Sequence, residues 1–238
     1  MNSKQFQYEF GIQLNQLDSA LSLSSDDIQY WLNKAQLELV KETFKHFEKS
    51  KSISADLQHL ITNTSEETKH FNDTITGFEI DRAPIPTDNL YVLNVRASVK
   101  YGDIDVSKAT GGRRSLTGKT KIVPTRMVQN HKIYSMLDDP FNTTKTLSPI
   151  SYLNDDGVDI YTDNKFIAER VYFNYLRMPT EINFKDNISS ELPKHLHKPI
   201  IQHAVDLFLN NTRDLKQRLQ RETPNVDSNQ TTKVDNNE

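Results

Sequence analysis

Beyond Ala83-Pro84-Ile85-Pro86 the helical spacing of apolar residues disappears from this 238-residue chain, and it does not resume until Leu192. Between those points the dominant period is two. Leu93, Val95, Ala97, Val99 and Tyr101 alternate with Asn94, Arg96, Ser98 and Lys100, the pattern of a half-buried strand. Ile122–Val123 and Met127–Val128 suggest a further strand interrupted at Pro124. A short helix is expected in NHKIYSMLDDPF, stopped before Pro140. Val158, Ile160 and Tyr161 come after an Asp-Asp-Gly turn, a hairpin signal, and Ile167 to Tyr175 mark a last strand closed by Met178-Pro179.

The flanks read as helices. Ser24 or Ser25 can cap a helix over 26–49 whose first turn holds Asp26 and Asp27, where carboxylates complement the dipole. Ile28, Trp31, Leu32, Ala35, Leu39, Phe44 and Phe47 form its apolar stripe, which places Trp31 in the core. Ile53, Leu57, Leu60 and Ile61 suggest a shorter helix ending at Asn63-Thr64. Leu192 through Phe208 carry a broad apolar helical face, with Pro193 and Pro199 early, where helices tolerate proline. The expected class is α+β: a helical bundle from both chain ends, an inserted β-rich region and a disordered C-terminal tail. The boundaries read are 1–75 for the N-terminal helical part, 76–185 for the β-rich region, 186–221 for the C-terminal helix and 222–238 for the tail.

Composition excludes several function classes. Apolar residues make up 35% and no apolar run approaches the ~20 residues of a membrane span. With no cysteine the chain has no thiolate nucleophile, disulfide or Cys-ligated zinc, and MNSKQFQYEF lacks the layout of a secretory signal. Both observations suit assembly in a reducing cytosol. The net charge of −3 argues against a protein that wraps nucleic acid over most of its surface, so any DNA contact is a local patch.

The stretch ATGGRRSLTGKTK, residues 109–121, ends in Gly-Lys-Thr, the tail of a phosphate-binding loop. That loop needs its first glycine five positions before the second, so that backbone amides curl round the phosphate; here Arg113 occupies the position and Gly112 is one residue too far. The stretch then runs into the β-branched Ile122 and Val123 and reaches Pro124 instead of opening a helix. The stretch therefore reads as a glycine-rich basic loop at 108–121. Lys108, Arg113, Arg114, Lys119 and Lys121 lie in fourteen residues without an acid. Three readings stay open for them: solvated surface charge, an acidic partner surface, or DNA phosphates.

The remaining candidates for chemistry are weak. His195 and His197 diverge by about 200° on a helix and cannot share a ligand face. Glu191 with His195 is interrupted by Pro193, and His203 with Asp206 supplies two ligands only. Asp138-Asp139 and Asp155-Asp156 read as turn-formers beside Pro140 and Gly157. No Gly-x-Ser-x-Gly elbow occurs. No catalytic residue, metal ligand or cofactor-binding residue is assigned, and the chain is read as a non-enzyme without cofactors.

Three ordered segments carry a resemblance. They are LSLSSDDIQYWLNKAQLELVKETF, then PTRMVQNHKIYSMLDDPF with a later VDIYT, then VYFNYLRMPTEINF leading to SSELPKHLHKPIIQHAVDLFL. In this order, over about residues 24–212, the chain resembles the head–tail connector ring proteins (portal-proximal adaptor or gatekeeper type) of crAss-like short-tailed bacteriophages. The resemblance implies a structural virion protein of the neck or tail region, assembled in the bacterial host cytoplasm. It would form a homo-oligomeric ring, typically twelvefold, that joins the portal protein to neighbouring tail or ring proteins. Genomic DNA would pass through its channel on ejection, and no membrane or catalytic residue is implied. The basic stretch matches no motif of that family, so its partner stays open. The rival expectations are a cytosolic nucleic-acid-binding protein using the basic loop, and another tail or minor capsid component.

Overall fold

The computed structural model describes residues 1–17, 23–47, 55–72, 78–110, 113–163 and 165–222. Its fold is α+β, and the chain divides into two compact units: Met1–Lys45 with Thr180–Glu238, and His46–Pro179. The segment expected as a disordered tail lies outside the described residues, apart from Glu222, which ends the last helix.

The first unit holds α1 (Ser3–Leu17), α2 (Ser25–Phe44) and the long C-terminal helix, which ends the chain's element order at His197–Glu222. Helix α1 lies where the sequence pattern announced no particular helix, yet Phe6, Phe10 and Leu14 are buried at four-residue steps along it. In α2 the cap is Ser24, whose hydroxyl oxygen accepts from the Asp27 amide at 3.1 Å. Ile28, Leu32, Ala35 and Val40 face the core. Trp31 is half-buried, edge-on to Phe208 at 5.9 Å, with Lys34 Nζ 5.1 Å from its ring centroid.

A second stripe on α2 is polar, and it has a structural task. The Asn33 amide both donates to the Ile182 carbonyl (3.1 Å) and accepts from the Ile182 N–H (2.7 Å). Gln36 donates to the Thr180 carbonyl and Gln29 accepts from the Phe184 N–H. Three amides at helical spacing thus replace a β-ladder partner for the extended segment 180–184, whose backbone groups must be satisfied once buried.

The second unit is built on two sheets. Its strands are β1 (Ile61–Glu67), β2 (Lys69–Asn72), β3 (Glu79–Ala83), β4 (Asn89–Thr110), β5 (Arg113–Pro124), β6 (Arg126–Met127), β7 (Ile150–Asn154), β8 (Gly157–Thr162) and β9 (Phe166–Arg177), with α3 (Ile133–Asp138) between β6 and β7. One sheet has the order β1-β9-β4-β5, the other β2-β3-β8-β7-β6. Every pairing is antiparallel except β6 with β7. Val95, Ala97, Val99, Val123, Phe166, Ala168, Val171, Phe173 and Tyr175 of the first sheet share a core with Ala83, Val158 and Ile160 of the second. On the other side of the second sheet, Ile80, Ile150 and Tyr161 pack with Ile133 and Leu137 of α3. Strand β8 is buried along its whole length because it is covered on both faces.

Polar pairs brace this unit at three points. Asp81, fully buried, accepts from the Ala168 N–H at 2.7 Å and meets His70 Nδ1 at 3.2 Å, so it ties β3 to β9 beside a register shift at 168–170. The Arg82 guanidinium grips Asp159 through two bonds, Nε to Oδ1 at 2.5 Å and a terminal nitrogen to Oδ2 at 2.9 Å. The Asp159 hydrogen bond raises the Arg82 pKa further. In the other sheet the Tyr175 hydroxyl donates to Asp88 at 2.9 Å, and burial with that bond pushes its phenol up to about 12.

The structure corrects two expectations. The helix anticipated to end at Asn63-Thr64 stops earlier, in a 3-10 turn at Gln58–Leu60, and Ile61 onward is β1. Of the stretch expected as a basic loop at 108–121, every described residue is in a strand: Lys108 belongs to β4, and Arg113, Arg114, Lys119 and Lys121 to β5. The strands at 93–101 and 167–175, the 155–157 hairpin and the short helix before Pro140 occur where the pattern placed them.

Candidate functional site

The Gly-Lys-Thr of residues 118–120 lies inside antiparallel strand β5, with Gly118 opposite Gly102 and Lys119 opposite Tyr101. A phosphate-binding loop needs a strand-to-helix turn whose amides converge; a ladder strand spends its amides on its neighbour. Nucleotide binding of that kind is therefore absent here by geometry. Lys119 and Lys121 are exposed on β5, an edge strand of its sheet. Gly111 and Gly112, and the side chains of Lys108, Arg113 and Arg114, lie outside the described residues.

The histidines are dispersed. His195 sits in a 3-10 turn, Lys194–Leu196, while His197 is buried and His203 meets Glu38 of α2 at 3.1 Å. Among the described residues no group of three or more His, Asp or Glu side chains is placed to hold a metal. Asp139 organises a turn, accepting from the Phe141 N–H at 2.9 Å and the Asn142 amide at 2.6 Å. Those bonds, the Phe141 one foremost, hold its carboxyl below the usual range. The turn presents Phe141 at 82% exposure. No acid–base pair forms there.

Burial gives His197 its chemistry. Its Nε2 lies 2.9 Å from the Leu192 carbonyl, its ring 5.0 Å from that of Phe6, and desolvation holds its pKa below 6.5. An unfolded chain takes up the proton first as pH falls, so the stability that neutral His197 provides is full above about 6.5 and is lost through the lower folded value. The melting temperature of the wild type is expected to fall between pH 7 and pH 5 more steeply than that of His197→Gln. Parallel pH profiles for the two would contradict it.

The clearest concave feature is a groove of about 520 Å³ on the face of the four-stranded sheet turned away from its core. Register sets its floor: Asn63, Asn174 and Asn94 form one row across β1, β9 and β4, and Ser65, Tyr172 and Arg96 form the next. Ile122 of β5 adds an exposed aliphatic side chain. The Asn174 Oδ1 atom is buried without a hydrogen-bond partner, a state that costs on the order of 1–3 kcal/mol until a donor arrives. Such a surface offers neutral donors and acceptors with one cation. It suits binding, and supplies no group poised for proton transfer.

The sequence reading gives the groove residues no functional role. For Asn94 and Arg96 a signal exists, since they are the polar half of the 93–101 alternation. Asn63 and Asn174 have none, because their row exists only once β1 pairs with β9. Among the described residues no helix is long and apolar enough to cross a membrane. No family model matches this sequence, and no curated protein does.

Proposed function

We propose that this chain is a structural component of a tailed-phage particle, a ring-forming connector in the neck that joins the portal to the tail around the DNA channel. The observation that carries the reading is the ordered set of three segments over residues 24–212, which falls on a chain with helices at both ends and a β-rich insert. In this reading the N- and C-terminal helices act as a bundle, the rigid wedge of a ring subunit. The sheet unit supplies edge strands and a long hairpin for contacts with neighbours. Portal, adjacent ring or tail proteins and further copies of the chain are the partners, and assembly takes place in the host cytoplasm.

The test is location and stoichiometry. Mass spectrometry of purified particles is expected to find the protein, and low-resolution microscopy a ring of it, twelvefold, below the portal. Its absence from purified particles overturns the proposal.

A further inference from the structure

Three register rows cross the β1-β9-β4-β5 sheet on the face that looks away from its core: Asn63-Asn174-Asn94, then Ser65-Tyr172-Arg96, then Glu67-Arg170-Ser98. The third row satisfies its own charges, because Arg170 meets Glu67 at 2.7 Å. The first two rows behave differently. Among the described residues, no hydrogen bond or ion pair engages the side chains of Asn63, Asn94 or Arg96, and all three residues are exposed. Between the two exposed amides, the Asn174 Oδ1 atom is buried and has no partner, a state that folded proteins rarely leave unresolved. These two rows line the groove of about 520 Å³, a volume within the range of small-ligand sites.

The unpartnered atom is an acceptor, so its complement is a donor. Sulfate and carboxylate groups bring acceptors alone at neutral pH. A protonated amine brings donors, but Arg96 repels it. One unpaired cation is also too few for a nucleic-acid strand, whose affinity is built from several phosphate contacts. What remains is a neutral donor, a hydroxyl or an amide. An extended peptide laid along the asparagine row repeats at about 3.3 Å per residue, whereas the asparagines step from strand to strand at about 4.8 Å, so its groups fall out of step. The hydroxyls of a sugar have no such fixed repeat, and each one, like an asparagine amide, both donates and accepts. The half-buried Tyr172 and the exposed Ile122 add apolar surface for the C–H face of a sugar ring.

We propose that the groove is a binding site for a neutral saccharide. Its hydroxyls donate to Asn174 Oδ1 and exchange hydrogen bonds with Asn63 and Asn94, while Arg96 donates to its oxygens. The two flanking asparagines turn aside without breaking a side-chain hydrogen bond, which admits the donor to the shielded oxygen. The site is independent of the neck reading and stands or falls without it.

The test titrates the full chain, isotope-labelled, with maltotriose, cellotriose and triacetylchitotriose, followed by nuclear magnetic resonance. At least one of them is expected to shift the backbone amide signals of the two rows. Its affinity should change less than about twofold between about 50 and about 500 mM salt, because a neutral ligand is not screened. Asn174→Leu and Asn94→Ala, the second at an exposed position, are each expected to weaken binding about tenfold. A further readout separates recognition from structure. Leucine removes an orphaned acceptor, so the melting temperature of the free Asn174→Leu variant is expected to match the wild type or exceed it by up to about 4 °C. No shift with any of the three sugars overturns the proposal, as does a groove that takes only oligothymidylate or acetylated trialanine. So does sugar binding that either variant keeps in full, or an Asn174→Leu variant that melts below the wild type.

Discussion

Gly157→Ala is expected to destabilise the sheet unit by about 2–6 kcal/mol, the sum of a positive-φ penalty and an overpacking penalty of about 1–3 kcal/mol each. Gly157 opens β8 at φ +159°, and a Cβ built on it would lie 2.3 Å from the Ala83 carbonyl oxygen and 3.1 Å from its carbonyl carbon. Those are backbone atoms of β3, which pairs with β8 directly alongside at Ala83↔Val158. No rotamer change relieves them, so either β3 or the turn at 155–156 must move. Gly11→Ala is the matched control. It lies in α1 with nothing within 4 Å of an added Cβ, and removing a mid-helix glycine should stabilise by about 0.5–1 kcal/mol. Guanidinium unfolding followed by circular dichroism reads both. Equal midpoints for Gly157→Ala and the wild type would contradict the close approach of the two strands.

Phe10→Ala is expected to cost the helical unit about 3–5 kcal/mol, the range for deleting a fully buried phenylalanine from a core that collapses only partly. Phe10 has no exposed surface, and neither does Phe6 one turn before it. Together with Leu14 they are the whole buried stripe of α1 apart from Ser3. Phe10→Leu keeps most of the apolar volume, and its cost should stay below about 1.5 kcal/mol. The same denaturation measurement ranks the two. If Phe10→Ala unfolds at the wild-type midpoint, α1 contributes nothing to that core and its packing is misassigned.

Legibility tracks the range of the forces involved. Helix α2 is readable because its cap, its first-turn carboxylates and its three- and four-residue apolar steps lie within one segment. The 155–157 hairpin is readable because an Asp-Gly turn specifies it locally. Helix α1 carries Phe6, Phe10 and Leu14 at four-residue steps, but three apolar positions among polar neighbours make a thin stripe that becomes a helix face only when buried. Strand β1, ITNTSEE, has no apolar alternation at all, and its strand character comes from seven register pairs with β9, about a hundred residues away.

The stretch 109–121 shows the division most sharply. Its residues are enough to reject a nucleotide site and to locate a concentration of positive charge, since both depend on identity and spacing alone. They point to a loop because three glycines favour one. What makes it a ribbon is β4, whose alternating residues are already ordered against β9 and extend a hydrogen-bonding template onto which β5 pairs. Sequence by itself determined the helix–strand–helix order, the run of five cations at 108–121 and the absence of thiol chemistry. Only the tertiary structure decided which strands became neighbours, and with them the asparagine row across three strands and the pairing of Gly102 with Gly118 between β4 and β5. Side-chain periodicity is a local property, whereas strand pairing is a choice of partner made through backbone groups that every residue shares.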